Sequence, residues 1–279
     1  MSTYEETYKN KHHFSFGKNW QDFLKTLNDE KVEEAKQSLI SFIGGEENIK
    51  GKSFVDIGCG SGLFSLAAFQ LGADRIVSVD VDEFSIACVT YLYEKAGKPK
   101  NWEITSGSAL DADFLSSLGE FDIVYSWGVL HHTGDMYRAL GNVKSLVGRD
   151  GILYIALYNK FSLSFRGGTA DFWLKVKRLY NNSGCLMKGV MNVIYTIYSI
   201  IALLVAFENP FSYIKNYQSN RGMSWYRDII DWIGGYPYEF ASADEIVDFF
   251  GQYGFYCKKL KTVQGTGCNE FLLVKVKNI

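Results

Sequence analysis

The chain has 279 residues, 47% hydrophobic and 22% charged, the balance of a globular protein long enough for one domain with an insertion or for two small ones. Its net charge of −2 excludes a bulk positive field of the kind that gathers a phosphate backbone, which disfavours a nucleic-acid substrate. The five cysteines form an odd set with neither Cys-x-x-Cys spacing nor a paired framework, so they read as free thiols of a reducing cytoplasm, and the polar, acidic start Met1–Glu6 lacks the apolar stretch of a secretory signal.

From Trp20 to Ile43 apolar residues recur at helical spacing, with Asn28-Asp29-Glu30 as a break and a new cap, which predicts two short helices ended by Gly44-Gly45. The aromatics Phe14, Phe16 and Trp20 ahead of them are either a hydrophobic staple or a flap over a ligand. Phe54–Ile57 then reads as a buried strand, followed by a turn with Gly58, Gly60 and Gly62 and a helix from Leu63 to Leu71. A bare backbone of this kind admits a nucleotide-like ligand. A dinucleotide fingerprint would place its third glycine where Leu63 stands, which weakens a nicotinamide reading. The next strand, Arg75–Asp80, ends in a carboxylate, and the strand–helix–strand unit is half of a doubly wound sheet.

A helix from Glu83 to Ala96 leads to the strand Trp102–Thr105 and to Gly107-Ser108-Ala109-Leu110. The fourth strand, Phe121–Trp127, runs into Gly128-Val129-Leu130-His131-His132-Thr133-Gly134-Asp135, beyond the carboxyl end of a strand, where open α/β sheets bind ligands. A helix Met136–Leu146 and a turn Arg149-Asp150-Gly151 precede the fifth strand, Ile152–Leu157, which ends in Tyr158-Asn159-Lys160.

The Asp56 turn with its Gly-x-Gly-x-Gly, completed by Asp80, resembles motif I and the following strand of the class I S-adenosylmethionine (SAM) dependent methyltransferases. The resemblance covers roughly residues 50–160 and 241–279. It implies a Rossmann-like α/β fold with a seven-stranded sheet in order 3-2-1-4-5-7-6, the last strand antiparallel. It also implies that Asp56 holds the ammonium of SAM, that Gly58 and Gly60 pass its carboxylate and ribose, and that Asp80 binds the ribose hydroxyls. Ser108 stands where the family usually has an aspartate for the adenine amine; a serine hydroxyl can accept the same hydrogen bond without charge. Val81, Ala109 and Trp127 fall beside the cofactor. The Val-Leu-His-His run, in place of Asn/Asp-Pro-Pro-Tyr, is similar to the small-molecule branch.

On this reading the chain divides into an N-terminal helical extension or flap (1–48), a SAM-binding core (49–160 plus 241–279) and a mostly helical substrate cap (161–240). The cap begins with a basic amphipathic segment, Asp171–Tyr180, whose Lys175, Lys177 and Arg178 fall on its polar side. An uncharged run from Gly189 to Phe207 follows, long enough to cross a bilayer. A lone span would put the two parts of one sheet on opposite sides of a membrane, so the run reads as a buried lid, a dimer helix, or a helix resting on a membrane or gripping a lipid-linked substrate. The cap closes with Arg221-Gly222-Met223-Ser224 and a segment ending Gly234-Gly235-Tyr236-Pro237, a pattern similar to bacterial SAM methyltransferases of uncertain substrate. Asp228, Asp231, Tyr236, Tyr238 and Glu239 are candidates to touch the substrate there, with His131 and Tyr158 beneath them, and Arg227 and Asp231 are spaced for an ion pair.

Methyl transfer is a displacement that chiefly aligns a nucleophile, and a base is needed only if that nucleophile carries a proton. His132 is the candidate base, with Asp228, Asp231 and Tyr236 as further catalytic candidates; the plainer reading has both histidines orienting the turn. The expectation is a cytoplasmic methyltransferase that turns SAM into S-adenosylhomocysteine and methylates a small-molecule or lipid- or sugar-linked acceptor, on oxygen in preference to nitrogen. The alternatives are a membrane-associated methyltransferase of quinone or lipid precursors, and a SAM-binding protein without transfer. A homodimer fits either. Ser242 caps a last helix through Phe250, and Phe255–Thr262 and Glu270–Val276 form a closing hairpin.

Overall fold

A computed structural model describes residues 17–162, 168–221 and 225–276. Phe14, Phe16 and Gly222-Met223-Ser224 lie outside the described residues. Seven strands form one sheet in the order β3-β2-β1-β4-β5-β7-β6, as the family resemblance implies. They are β1 (Ser53–Ile57), β2 (Arg75–Asp80), β3 (Trp102–Ser106), β4 (Phe121–Trp127), β5 (Val147–Tyr158), β6 (Phe255–Lys261) and β7 (Cys268–Lys275). The first five pair in parallel, and β7 runs antiparallel to both β5 and β6.

The helices that precede or join the parallel strands are α1 (Gly17–Leu24), α2 (Asp29–Ile43), α3 (Leu63–Gln70), α4 (Glu83–Lys95), α5 (Ala112–Leu118) and α6 (Met136–Val143). Asn28 caps α2 by accepting from the Lys31 N–H, and Gly44 ends it at φ 98°, as the break and the glycine pair predict. The four helices of the insertion are α7 (Ala170–Asn182), α8 (Cys185–Val205), α9 (Pro210–Arg221) and α10 (Trp225–Gly234), and α11 (Ala243–Gly251) returns to the core behind a capping box of Ser242 and Glu245.

Strand residues alternate between two cores, as a sheet covered on both faces requires. Val55, Ile57, Val77 and Val79 pack with Leu115, Leu140 and Phe250 on one face. Phe54, Ile76 and Trp102 pack with Leu39, Ala67 and Val89 on the other. By the same period of two, Asp56 and Ser78 belong to the second face, beneath α3. That placement decides what Asp56 can do.

Two elements differ from the sequence expectation. The turn Arg149-Asp150-Gly151 does not precede β5 but lies inside it as a bulge: Phe121 pairs with Val147 and Ile123 with Ile152, and Asp150 adopts φ 62°. The apolar helix of the insertion starts at Cys185, so it takes in Lys188. The insertion is pinned at its root, where the Lys160 N–H donates to the Ala241 carbonyl and the Ala241 N–H to the Tyr158 carbonyl. Both of its ends therefore leave from the carboxyl edge of the parallel strands.

Candidate active site

The turn after β1 is held by hydrogen bonds that cross to β2. The N–H groups of Gly58 and Cys59 both donate to the Val79 carbonyl, at 2.7 and 2.9 Å, and the Gly60 N–H donates to Asp80 Oδ2 at 2.9 Å. Gly60 sits at φ 54°, and a methyl group added there would lie 2.8 Å from the indole nitrogen of Trp20. A side chain at Gly58 would meet Val129 at 2.3 Å. Residues with a Cβ are thus shut out both by conformation and by space. Trp20 brings α1 over the glycine turn, which favours the flap reading for this residue.

Asp56 is 2% exposed and sits under this turn. The Trp102 indole N–H donates to Ser78 Oγ (2.8 Å), the Ser78 hydroxyl to Ser65 Oγ (2.7 Å), and the Ser65 hydroxyl to Asp56 Oδ2 (2.7 Å). A buried chain of this kind polarises along its length, and every member has a partner. The Asp56 carboxyl is turned toward α3 by the alternation of β1 and braces the loop from below. Burial pushes its pKa up to about 7.

Asp80 ends β2 with both carboxylate oxygens on backbone, Oδ2 on Gly60 and Oδ1 on the Asp82 N–H at 2.9 Å. A carboxylate has further lone pairs, so this brace still offers acceptor capacity to a hydroxyl. Burial raises its pKa to about 6. Val81 beside it is exposed. Ser108 accepts the Leu110 N–H at 3.1 Å, a local turn that fixes its oxygen and leaves its proton to donate. Ala109 is buried among the helices of the first core, with its carbonyl accepting from Asn142. Trp127 is half exposed, but its indole hydrogen-bonds Glu270 on β7, away from Asp80 and toward the far side of the sheet.

Beyond β4, a single turn of 3-10 helix at Leu130–His132 places the two histidines in different settings. His131 is buried; its Nδ1 accepts the Tyr158 N–H at 3.3 Å, and its ring lies 3.9 Å from that of Tyr158. Burial holds its pKa well below the usual histidine value, so it is neutral. His132 Nδ1 lies 2.6 Å from the Pro237 carbonyl oxygen. A carbonyl only accepts, so Nδ1 carries the proton and Nε2 is the basic nitrogen of the neutral ring. The arrangement suits a general base, and the hydrogen bond to the Pro237 carbonyl would steady the imidazolium once formed.

The insertion residues divide. Glu239 accepts the Gly134 N–H on Oε2 (3.0 Å) and the Met136 N–H on Oε1 (3.1 Å), while its own N–H donates to the His131 carbonyl. Both oxygens thereby clamp the return of the insertion onto the loop that carries the histidines. Tyr238 is likewise buried in packing, 5.0 Å from the Tyr158 ring and against Phe240. Asp228 accepts from the Tyr217 hydroxyl. Asp228 and Asp231 both act on Tyr158 electrostatically, and with burial they hold its hydroxyl well above its usual pKa. Tyr236 is half buried in the segment that presents Pro237 to His132. The Arg227 side chain, and with it the expected Arg227–Asp231 pair, lies outside the described residues.

Sequence reasoning missed Lys177. It is 0% exposed, donates to the Trp232 carbonyl, and lies 4.2 and 4.8 Å from the Trp232 and Tyr238 rings. Burial lowers its pKa to about 7, with Asp231 acting the other way. The signal was present: Ala170, Trp173, Lys177 and Tyr180 share one helical stripe, and all four are buried. An aromatic series, Tyr195, Trp173, Trp232 and Tyr158, joins α8 to His131 through successive ring contacts of 3.9 to 6.0 Å.

A family model described as a methyltransferase domain matches residues 29–257. Among curated proteins, the ubiquinone biosynthesis O-methyltransferase of Rhizobium rhizogenes is 31% identical over 113 residues, 40% of this chain and 43% of the relative. That of Rhodopseudomonas palustris (strain HaA2) is 29% identical over 117 residues, 42% and 44% of the two chains. Ribosomal protein L11 methyltransferase of Tolumonas auensis is 49% identical over only 39 residues, 14% and 13%. The chain thus spans less than half the length of these relatives. Among solved structures, magnesium protoporphyrin IX methyltransferase from Synechocystis, with bound S-adenosylhomocysteine, superposes with a TM-score of 0.52 at 14% identity, covering 87% of this chain and 83% of that one. PKMT2 from Rickettsia typhi gives 0.56 at 14% identity, covering 88% and 53%. At such identities these two bear on the fold alone.

Proposed function

Since the chain belongs to the methyltransferase-domain family, we propose that it transfers a methyl group from SAM to a hydroxyl oxygen of a small aromatic acceptor. The observation that carries the reading is His132, whose Nδ1 is committed to the Pro237 carbonyl and whose Nε2 is thereby the basic nitrogen at the carboxyl edge of β4.

The residues present suit the cofactor. Gly60 offers bare backbone under Trp20, Asp80 offers a braced acceptor for ribose hydroxyls, and Ser108 offers a hydroxyl at the tip of the next strand. SAM, when bound, supplies a methyl carbon on a positively charged sulfur that leaves as a neutral thioether. Asp56 and Asp80 place two carboxyls, poised near neutrality by burial, where a cationic ligand favours their ionised forms. His132 Nε2 accepts the proton of the acceptor hydroxyl. His131, buried and neutral, packs on Tyr158 without adding a charge that would oppose the imidazolium. Tyr158 and Trp232, both half-buried, give the cap an aromatic lining suited to a flat ring, with Tyr238 packed behind them. The O-methyltransferase names of the quinone-pathway relatives support the same choice of atom and ring.

The test is methyl transfer from labelled SAM to catechol-type acceptors and to matched amines. The reading expects label on oxygen and its loss with His132→Ala. Tight SAM binding with no labelled product from either class would favour a binding protein instead.

A further inference from the structure

A helix on a water-soluble protein turns its apolar face inward and its polar face out. Helix α8 turns an apolar face outward as well. Over its 21 residues the exposed positions include Leu186, Val190, Ile194, Ile197, Ile201 and Leu204, an unbroken apolar stripe at helical spacing, with Leu186 86% exposed and Phe207 just beyond the helix 99% exposed. The half-buried side, toward the rest of the insertion, mixes Asn192, Thr196 and Ser199 with Met191, Tyr195 and Ile200. Asn192 Oδ1 and Thr196 Oγ1 are shielded from solvent without a protein partner, as is the indole nitrogen of Trp232 on α10, a helix against which α8 packs. A helix that exposes so long an apolar stripe calls for surroundings of its outer face that are themselves apolar.

Charge indicates which apolar surroundings. Residues 161–221 contain seven Lys and Arg against two Asp and Glu, whereas the other 218 residues contain 22 against 29. Lys175 and Arg178 on α7 and Lys215 on α9 are exposed on the two helices that flank α8. A second copy of this chain, docked by a twofold interface, would bring the same basic block against itself. A surface of anionic phospholipid meets both demands, with hydrocarbon for the stripe and negative headgroups for its basic borders.

We infer that the outer face of α8 beds lengthwise in the interface of an anionic bilayer, held by the exposed basic residues of α7 and α9. At 1.5 Å per residue the helix offers a contact of about 30 Å. It lies in the membrane plane and does not span, because the insertion leaves and rejoins one edge of one sheet. The docking is independent of the methyl-transfer reading.

Co-sedimentation of the full chain with phosphatidylcholine vesicles, with and without phosphatidylglycerol, tests it at low and high salt. The expected result is binding to the anionic vesicles that weakens with salt. Lys175→Gln with Arg178→Gln should weaken it by about 30-fold, from roughly 1 kcal/mol per basic residue near an anionic surface. Ile194→Glu with Ile201→Glu should abolish it, while thermal stability and SAM binding by calorimetry stay as in the parent. The inference is overturned if the parent stays in the supernatant with anionic vesicles at low salt, or if the double glutamate variant pellets like the parent. A dimer on size-exclusion chromatography that the glutamate pair dissociates, without vesicle binding, would assign the face to a second copy instead.

Discussion

The carboxyl edge around β1 and β2 and the helical insertion treat polar groups in opposite ways. At the edge, the buried chain from the Trp102 indole through two serines to the Asp56 carboxylate is partnered at every step, with Phe54, Ile76 and Val89 turned inward around it, and the Tyr125 hydroxyl on the neighbouring strand is the polar group there shielded without a partner. In the insertion, α8 shields hydroxyl and amide oxygens that have no partner and presents its hydrocarbon outward. The first region is organised for a polar ligand in water, where hydrogen bonds must be prepaid to keep two carboxyls buried side by side. The second, on the docking inferred above, meets surroundings in which exposed hydrocarbon carries little cost. The difference suggests that the two halves of the reaction meet different phases, with the cofactor arriving from water and the cap resting on lipid.

The contrast breaks most visibly at the histidine that joins the two regions. His132→Ala removes the basic nitrogen and its tie to the insertion at Pro237, and should lower kcat by about 10²- to 10⁴-fold, the range of a general base, with SAM affinity little changed. An unchanged kcat would leave His132 as a turn-orienting residue and point to an acceptor that needs no proton removed. Asp80→Asn tests the edge alone. Losing a charged acceptor for the ribose and for Gly60 should weaken SAM binding by roughly 10- to 100-fold, read by calorimetry.

Ser65→Ala sharpens the distinction between bracing and binding. It leaves Asp56 without its hydroxyl donor and Ser78 without its acceptor, and should cost about 1–3 kcal/mol in chemical denaturation. Its effect on SAM affinity should be smaller than that of Asp80→Asn; the reverse order would return Asp56 to direct contact with the ligand. The mildest effect is that of pH. Asp56 at about 7 and Asp80 at about 6 in the folded protein lie above the ordinary carboxyl value near 3.8. Between about pH 4 and 7 the folded state therefore keeps protons that the unfolded state has released. The stability of the ligand-free protein should fall as pH rises through that window and level off above it. SAM affinity should rise over the same window, because a cationic ligand favours the ionised carboxyls. Thermal melts and calorimetry across pH 4–8 check the two opposed slopes.

Much of the core was legible because its signals are local. The glycine turn and the acid closing β2 give one strand–helix–strand half of a doubly wound sheet, the family resemblance implies the seven-strand order, and the caps at Asn28 and Ser242 mark their helices from the sequence alone. The alternation along β1 already turned Asp56 to the α3 face, and only the expectation carried over from the family resemblance set its carboxyl against a ligand. The bulge at Asp150 was not legible, since Arg-Asp-Gly is ordinary turn chemistry whether it ends a strand or interrupts one. Lys177 was misplaced by its charge, although its spacing from Trp173 and Tyr180 put it on the buried stripe. Glu239 read as a substrate contact because nothing in the sequence brings it to Gly134 and Met136, a hundred residues away. Long-range clamps of this kind depend on how the insertion closes, which no local pattern records.

The central claim is that the Asp80–Gly60 turn is a berth for SAM, and isothermal calorimetry addresses it directly. The account predicts saturable heats with SAM and with S-adenosylhomocysteine, both reduced by Asp80→Asn, and none with reduced nicotinamide dinucleotide. No heat with either sulfur nucleoside, together with clear binding of the dinucleotide, would contradict it.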